Sequence, residues 1–181
     1  MNSLIRHSDR VKVACLAQLV NVIAPIMTNE NGFFRQSIYY PYSWALQFAR
    51  GHALSVIPEG PTYDVEKLGK PTEAIGITGP GFGAVPYLDI SATYDPQGKS
   101  IALFILNRDL NKARDLELDW HDLTPTKVTN SFTLTGADLK AVNSFEQPNR
   151  VVPQKMDPPA LRPKMTFQVP ARSYSVVTMS L

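Results

Sequence analysis

The sequence predicts a mainly β protein, an antiparallel, jelly-roll-like sandwich preceded by a short α/β stretch. From Pro86 onward, apolar residues recur with period two in short runs divided by turn residues. Before Gly51 the pattern is instead helix, strand, loop, helix, too little to close a sheet of its own. The 15 prolines and 10 glycines among 181 residues fit a turn-rich chain.

The leading stretch reads as follows. Ser8 and Asp9 stand as N-caps directly before Val11, and Val13, Leu16, Ala17 and Val20 share a helical face, with Ala14, Cys15 and Leu19 beside it. A helix apolar on most sides is normally enclosed, so Cys15 reads as a small buried apolar group. Residues 21–27 form a short apolar run expected to be a buried parallel strand with Pro25 at its end. A loop with Gly32 and several aromatics covers 28–40. Pro41 then opens a second helix at its first position, and Gly51 after Arg50 is its C-cap. In that helix Trp44 and Phe48 lie four apart, as do Ala45 and Ala49, which gives one packing face.

Residues 53–85 read as a connector rich in Pro and Gly, ending in Thr78-Gly79-Pro80-Gly81-Phe82-Gly83. No strand leads into these glycines and no helix follows, so they form a turn and not a dinucleotide cradle. Strands come next. Leu88, Ile90, Ala92 and Tyr94 alternate with polar positions up to the turn Asp95-Pro96-Gln97-Gly98. The run 101–106 is apolar throughout, as expected at a sheet centre. Leu116, Leu118 and Trp120 mark another strand, and Val128, Phe132 and Leu134 one more. Met165, Phe167 and Val169 mark one C-terminal strand and Tyr174, Val176 and Thr178 another, the two divided by Pro170.

Composition excludes several function classes. Apolar residues are 44%, enough for a packed core. Eighteen Lys+Arg against 16 Asp+Glu leave a net charge of +2, without the basic footprint of a nucleic-acid binder. One cysteine excludes an internal disulfide framework, and three scattered histidines show no metal-ligand spacing, so neither metal nor cofactor is expected. The most apolar stretch, 15–27, is broken by Gln18, Asn21 and Pro25 and is too short for a bilayer span. Without a targeting segment, the chain is expected to be soluble and cytoplasmic, with no membrane partner.

Residues 8–27, SDRVKVACLAQLVNVIAPIM, closely resemble a signature run of the family-51 glycoside hydrolases, the α-L-arabinofuranosidases. Arg35-Gln36-Ser37-Ile38-Tyr39-Tyr40-Pro41 continues the resemblance at the expected distance, and Leu106-Asn107-Arg108-Asp109 resembles the family's sandwich strand. The resemblance implies a (β/α)8 barrel followed by a β-sandwich, releasing arabinose from arabinan or arabinoxylan. It makes residues 1–52 the tail of the catalytic barrel (the end of its seventh helix, its eighth strand and its eighth helix). Residues 53–181 become the connector and C-terminal sandwich domain.

A complete barrel takes about 250 residues, so the resemblance implies a C-terminal fragment without the two catalytic carboxylates. The partner it implies is an arabinose-containing oligosaccharide bound by the full-length enzyme, which the resemblance implies is a homo-oligomer. Residues 1–52 are then expected to lack most of their partners, and their removal to improve solubility.

No catalytic residue is assigned in the chain itself. Asn29-Glu30 is an Asn-Glu pair of the kind that carries the acid/base in related barrels, but it follows the last strand and caps a loop. Glu59, Glu66, Glu73 and Glu117 fall in the connector or sandwich and read as solvated. Gln36 is the substrate-binding candidate. It lies in the loop after the strand the resemblance equates with the barrel's eighth, and such loops build a barrel's active face. A neutral amide both donates to and accepts from sugar hydroxyls, and the resemblance places a substrate-contacting glutamine here; the competing role is a loop glutamine bonded to backbone. Tyr39, Tyr40, Tyr42 and Trp44 carry faces for sugar stacking but have helical core spacing. His52 and His121 read as structural or exposed. The alternative function is a free-standing β-sandwich module that binds carbohydrate or protein, with Tyr94, Trp120 and Tyr174 as its candidate surface aromatics.

Overall fold

A computed structural model of the chain describes residues 1–65, 83–122, 124–161 and 164–181. Glu66, Glu73 and the glycine-rich turn up to Phe82 lie outside the described residues.

The central strand is β7 (Ser100–Asn107), in which Ile101 to Ile105 are all buried. It pairs antiparallel on one side with β6 (Leu88–Asp95) and on the other with β12 (Ser173–Ser180). Beyond β6 lies β3 (His52–Leu54); beyond β12 lie β9 (Lys127–Leu134) and the short β10 (Gln154–Lys155). Alternation along β7 sends Ile101, Leu103 and Ile105 to one face and Ala102 and Phe104 to the other. The first face packs on a two-stranded antiparallel ribbon, β8 (Arg114–Asp119) with β11 (Lys164–Val169), through Leu116, Met165 and Val169. That is the expected sandwich, built as six strands against two.

The second face is covered by helices. Helix α1 (Asn2–Arg6) and helix α2 (Tyr39–Phe48) bring Ile5 and Trp44 onto Ala102, Phe104 and Val176. Trp44 stacks between Phe132 and Tyr174, both at 6.3 Å. The short α1 is pinned by polar bonds. Asn2 donates to the carbonyls of Asp89 (2.9 Å) and Phe104 (3.2 Å) and accepts from the Tyr174 hydroxyl (2.9 Å), while Arg6 pairs with Asp89. Burial first, and then the Asp89 charge, hold the Tyr174 hydroxyl well above the ordinary phenol range.

Four local expectations are corrected. Residues 11–20 form no helix: the chain runs irregularly, with Val13 80% exposed and positive φ at Gln18. A helix apolar on most sides needs partners on most sides, and a short one does not hold alone in water. Here Val11, Ala14, Cys15 and Leu16 instead line a shallow apolar cavity of about 300 Å³ along α1 and α2. Cys15 is therefore exposed, not buried. The expected parallel strand at 21–27 is replaced by an antiparallel hairpin, β1 (Ile26–Asn29) with β2 (Gly32–Arg35), and among the described residues only the single bridge Val20–Ile26 is parallel. The connector holds strands of its own, with β3 joining the main sheet and β4 (Thr62–Asp64) pairing with β5 (Ala84–Pro86).

Helix α2 begins two residues before Pro41, which is tolerated because first-turn N–H groups have no helical acceptor.

After β7 the run Asn107-Arg108-Asp109 builds a tight corner. Buried Asn107 directs its amide to the carbonyls of Lys112, Val169 and Pro170 at 2.9–3.2 Å. Asp109 accepts the N–H groups of Asn111 and Lys112, both at 2.9 Å, and pairs with Arg114, whose guanidinium lies 4.2 Å over Tyr87. The Asn111 N–H foremost, helped by Lys112 and Arg114 against partial desolvation, holds the Asp109 carboxyl below its ordinary range. A folded pKa below the unfolded one contributes stability that is complete above the ordinary carboxylate range and lost as pH falls through the folded value. Asp109→Asn should therefore melt lower at neutral pH and lose less on acidification. Thermal melts from neutral pH down to about pH 2 check this; parallel curves would refute it.

Candidate functional site

The site is built where the β1–β2 hairpin runs into α2. Asn29 closes the hairpin turn by accepting the N–H groups of Asn31 (2.9 Å) and Gly32 (3.0 Å). The pair Asn29-Glu30 thus contributes a turn former and an exposed acid at the tip. Along β2 the side chains alternate: Phe34 is buried, and Phe33 and Arg35 face out.

Gln36 follows directly. Its N–H donates to the Pro25 carbonyl (2.8 Å) and its Nε2 to the Ala24 carbonyl (2.7 Å), and its own carbonyl accepts the Tyr39 N–H (2.9 Å). The glutamine is half-buried and fixes the end of the hairpin to the buried 24–25 segment. Its Oε1 has no protein partner among the described residues.

Around it, the Arg35 guanidinium lies over the rings of Phe33 (5.6 Å) and Tyr39 (5.2 Å), and Tyr39 meets Tyr40 edge-on at 5.5 Å. Burial raises the Tyr40 hydroxyl pKa, against the nearby Arg35 charge, and the phenol, like any tyrosine at neutral pH, is protonated and able to donate. Phe33, Arg35, Gln36, Tyr39 and Tyr40 thus offer donors, an acceptor and ring faces, but no acid. Such a set suits a polyhydroxylated ligand and not proton transfer.

The other candidates lie elsewhere. Trp44 is core, and Tyr42 lines the apolar cavity with Cys15. Glu117 is exposed and paired with Lys164 at 2.8 Å; Glu59, His52 and His121 are exposed. Tyr94 and Trp120 pack against the inter-sheet core, and Tyr174 is engaged by Trp44 and Asn2, so these three form no outward platform. Among the described residues no cluster of His, Cys, Asp and Glu is arranged for a metal ion.

The structure adds Phe33, Arg35 and Asn143. Arg35 stands in the motif already singled out, but its ring contacts depend on β2 alternation. Asn143 is 108 residues away from Arg35, yet donates to its carbonyl at 2.7 Å. No local pattern announces that bond.

The whole chain decides the family. Residues 1–173 match the profile of the α-L-arabinofuranosidase C-terminal domain. The chain belongs to this family. Among its relatives, the intracellular exo-α-(1→5)-L-arabinofuranosidase of Streptomyces lividans is 39% identical over 161 residues, 88% of this chain and 22% of the relative. Its Bacillus subtilis counterpart is 34% identical over 83% of this chain and 27% of the relative. A solved structure of the family-51 α-L-arabinofuranosidase from Bifidobacterium longum superposes with a TM-score of 0.85 at 33% identity, covering 99% of this chain and 32% of that one. The chain thus spans between about a fifth and a third of the length of these arabinofuranosidases. With such relatives across nearly its full length, the family C-terminal domain is favoured over a free-standing binding module.

Proposed function

We propose that the chain forms the C-terminal part of a retaining α-L-arabinofuranosidase that removes terminal arabinofuranosyl groups from arabinan or arabinoxylan. The observation that carries this reading is the family match over residues 1–173. In this reading residues 1–52 are the tail of a (β/α)8 barrel and 53–181 the connector and sandwich. The two carboxyl groups that retaining hydrolysis needs about 5 Å apart belong to the part of the relatives that this chain does not span. An intracellular site of action follows from the names of the relatives above. Among the described residues no helix is long and apolar enough to cross a membrane. The assembled enzyme is proposed to be a homo-oligomer.

Gln36 is proposed to contact the sugar. One amide hydrogen is committed to Ala24, which leaves Oε1 and the second hydrogen for hydroxyls. The bond to Ala24 also orients the amide, so both roles weighed for this residue operate together.

The test joins this chain to the preceding two-thirds of the Bifidobacterium longum relative and assays an aryl α-L-arabinofuranoside. The chain alone should give no turnover, and the chimera should. A chimera that melts cooperatively as one unit but stays inactive would overturn the proposal. In the active chimera, Gln36→Ala should lower kcat/KM by at least roughly 3- to 10-fold, the equivalent of one neutral hydrogen bond. Unchanged kinetics would leave Gln36 with its structural bond alone.

A further inference from the structure

Phe33 is 60% exposed on the outward side of β2. Two residues on, the Arg35 guanidinium lies over the Phe33 ring at 5.6 Å and over the Tyr39 ring at 5.2 Å. A guanidinium in cation–π contact with ring faces keeps five N–H donors in its own plane, available to hydroxyl groups beside the rings. Arg35 has no carboxylate partner among the described residues, so those donors are not spent on an ion pair.

The platform is braced from behind. Phe34 meets Phe145 edge-on at 4.9 Å. Asn143, only 5% exposed, donates to the Arg35 carbonyl at 2.7 Å and exchanges two bonds with Val151, at 2.9 and 2.6 Å. The backbone beneath Arg35 is therefore anchored to the 143–151 loop, and a prepositioned group loses less freedom on binding.

Stacking faces with in-plane donors at their rim match a sugar ring, which presents C–H groups on its face and adjacent hydroxyls at its edge. We infer that Phe33, Arg35 and Tyr39 form a binding site for a second, neutral pentose unit of an arabinose-containing oligosaccharide, beside the unit contacted by Gln36. The inference rests on the function proposed above and names the residues that set its preference for oligomers. The rings take the C–H face and the guanidinium spans two neighbouring hydroxyls.

The test titrates the full chain, ¹⁵N-labelled, with α-(1→5)-linked arabinotriose into the millimolar range. Saturable shifts are expected for the amides of residues 33–39 and for the Arg35 side chain. Phe33→Ala and Arg35→Lys should each weaken binding about tenfold while melting within about 2 °C of wild type. Arg35→Lys keeps the charge, so undiminished binding by that variant would overturn the site. Absence of saturable shifts, or tighter binding of galacturonate than of arabinotriose, would overturn it too. The aryl substrate used for the chimera carries one sugar, so failure of this site leaves that activity intact. An inactive chimera, in turn, leaves the titration interpretable.

Discussion

Gly51→Ala is expected to abolish stable folding or to lower stability by several kcal/mol. Gly51 has φ +72°, a region where an L side chain costs roughly 1–2 kcal/mol. A Cβ there would lie 2.1 Å from the Tyr94 carbonyl oxygen and 2.8 Å from the Asp95 Cα. Both are backbone atoms of β6, which is held by β7 along its whole length and cannot swing aside. Relief would require β3 to separate from β6, breaking the register of His52 with Tyr94. Against a net stability of about 5–15 kcal/mol for a typical domain, the loss is severe. Gly32→Ala is the control: open space surrounds that position and its φ is not positive, so a change within about 0.5 kcal/mol is expected. Urea titration of both variants decides, and similar midpoints would refute the argument.

Removing residues 1–49 is expected to turn the sandwich into an aggregating, dye-binding species. This reverses the expectation drawn from sequence, that the leading segment is dispensable. Without α1 and α2, Phe104 and Val176, both wholly buried, would face water together with Ala102. Fully burying one large apolar side chain is worth about 1.5–3 kcal/mol. Losing the contacts among Ile5, Trp44, Phe104 and Val176 therefore approaches the net stability of a domain. The Phe104 carbonyl and Tyr174 hydroxyl would also lose Asn2. Light scattering and a hydrophobic dye, compared between full and truncated chains, measure the outcome. A truncated chain that is monomeric and melts cooperatively would show that the helices are accessory.

The local sequence carried the sandwich. An unbroken apolar run at 101–106 fits a short strand covered on both faces, and both faces are covered here, one by the β8–β11 ribbon and one by the helices. Period two at 88–94 and 116–120 placed β6 and β8 in the same way. Gln36 was singled out by the motif that carries the family resemblance; its bond to Ala24 was not legible, since that depends on how the hairpin folds back.

The misplaced elements have one physical cause. Residues 11–20 have helical periodicity, but periodicity states which face wants burial and not what is present to bury it. In this structure α1, α2 and the edge formed by Ala53 and Thr93 stand beside one side of the segment, so part of it lines their cavity and Val13 stays in water. The short α1 had no signal of its own, because polar bonds from Asn2 and Arg6 to a sheet about ninety residues away hold it in place.

The sequence by itself thus determined the mainly antiparallel β class, the central strand and the existence of the second helix, since each rests on local periodicity, although that helix starts at Tyr39 and ends at an Ala49 cap where Pro41 and Gly51 were expected. Only the tertiary structure decided that helices roof the sheet, that Gly51 must lack a side chain, and that Asn143 braces Arg35. Those facts are distances between residues far apart in the chain, and close packing fixes them only once the whole chain has folded.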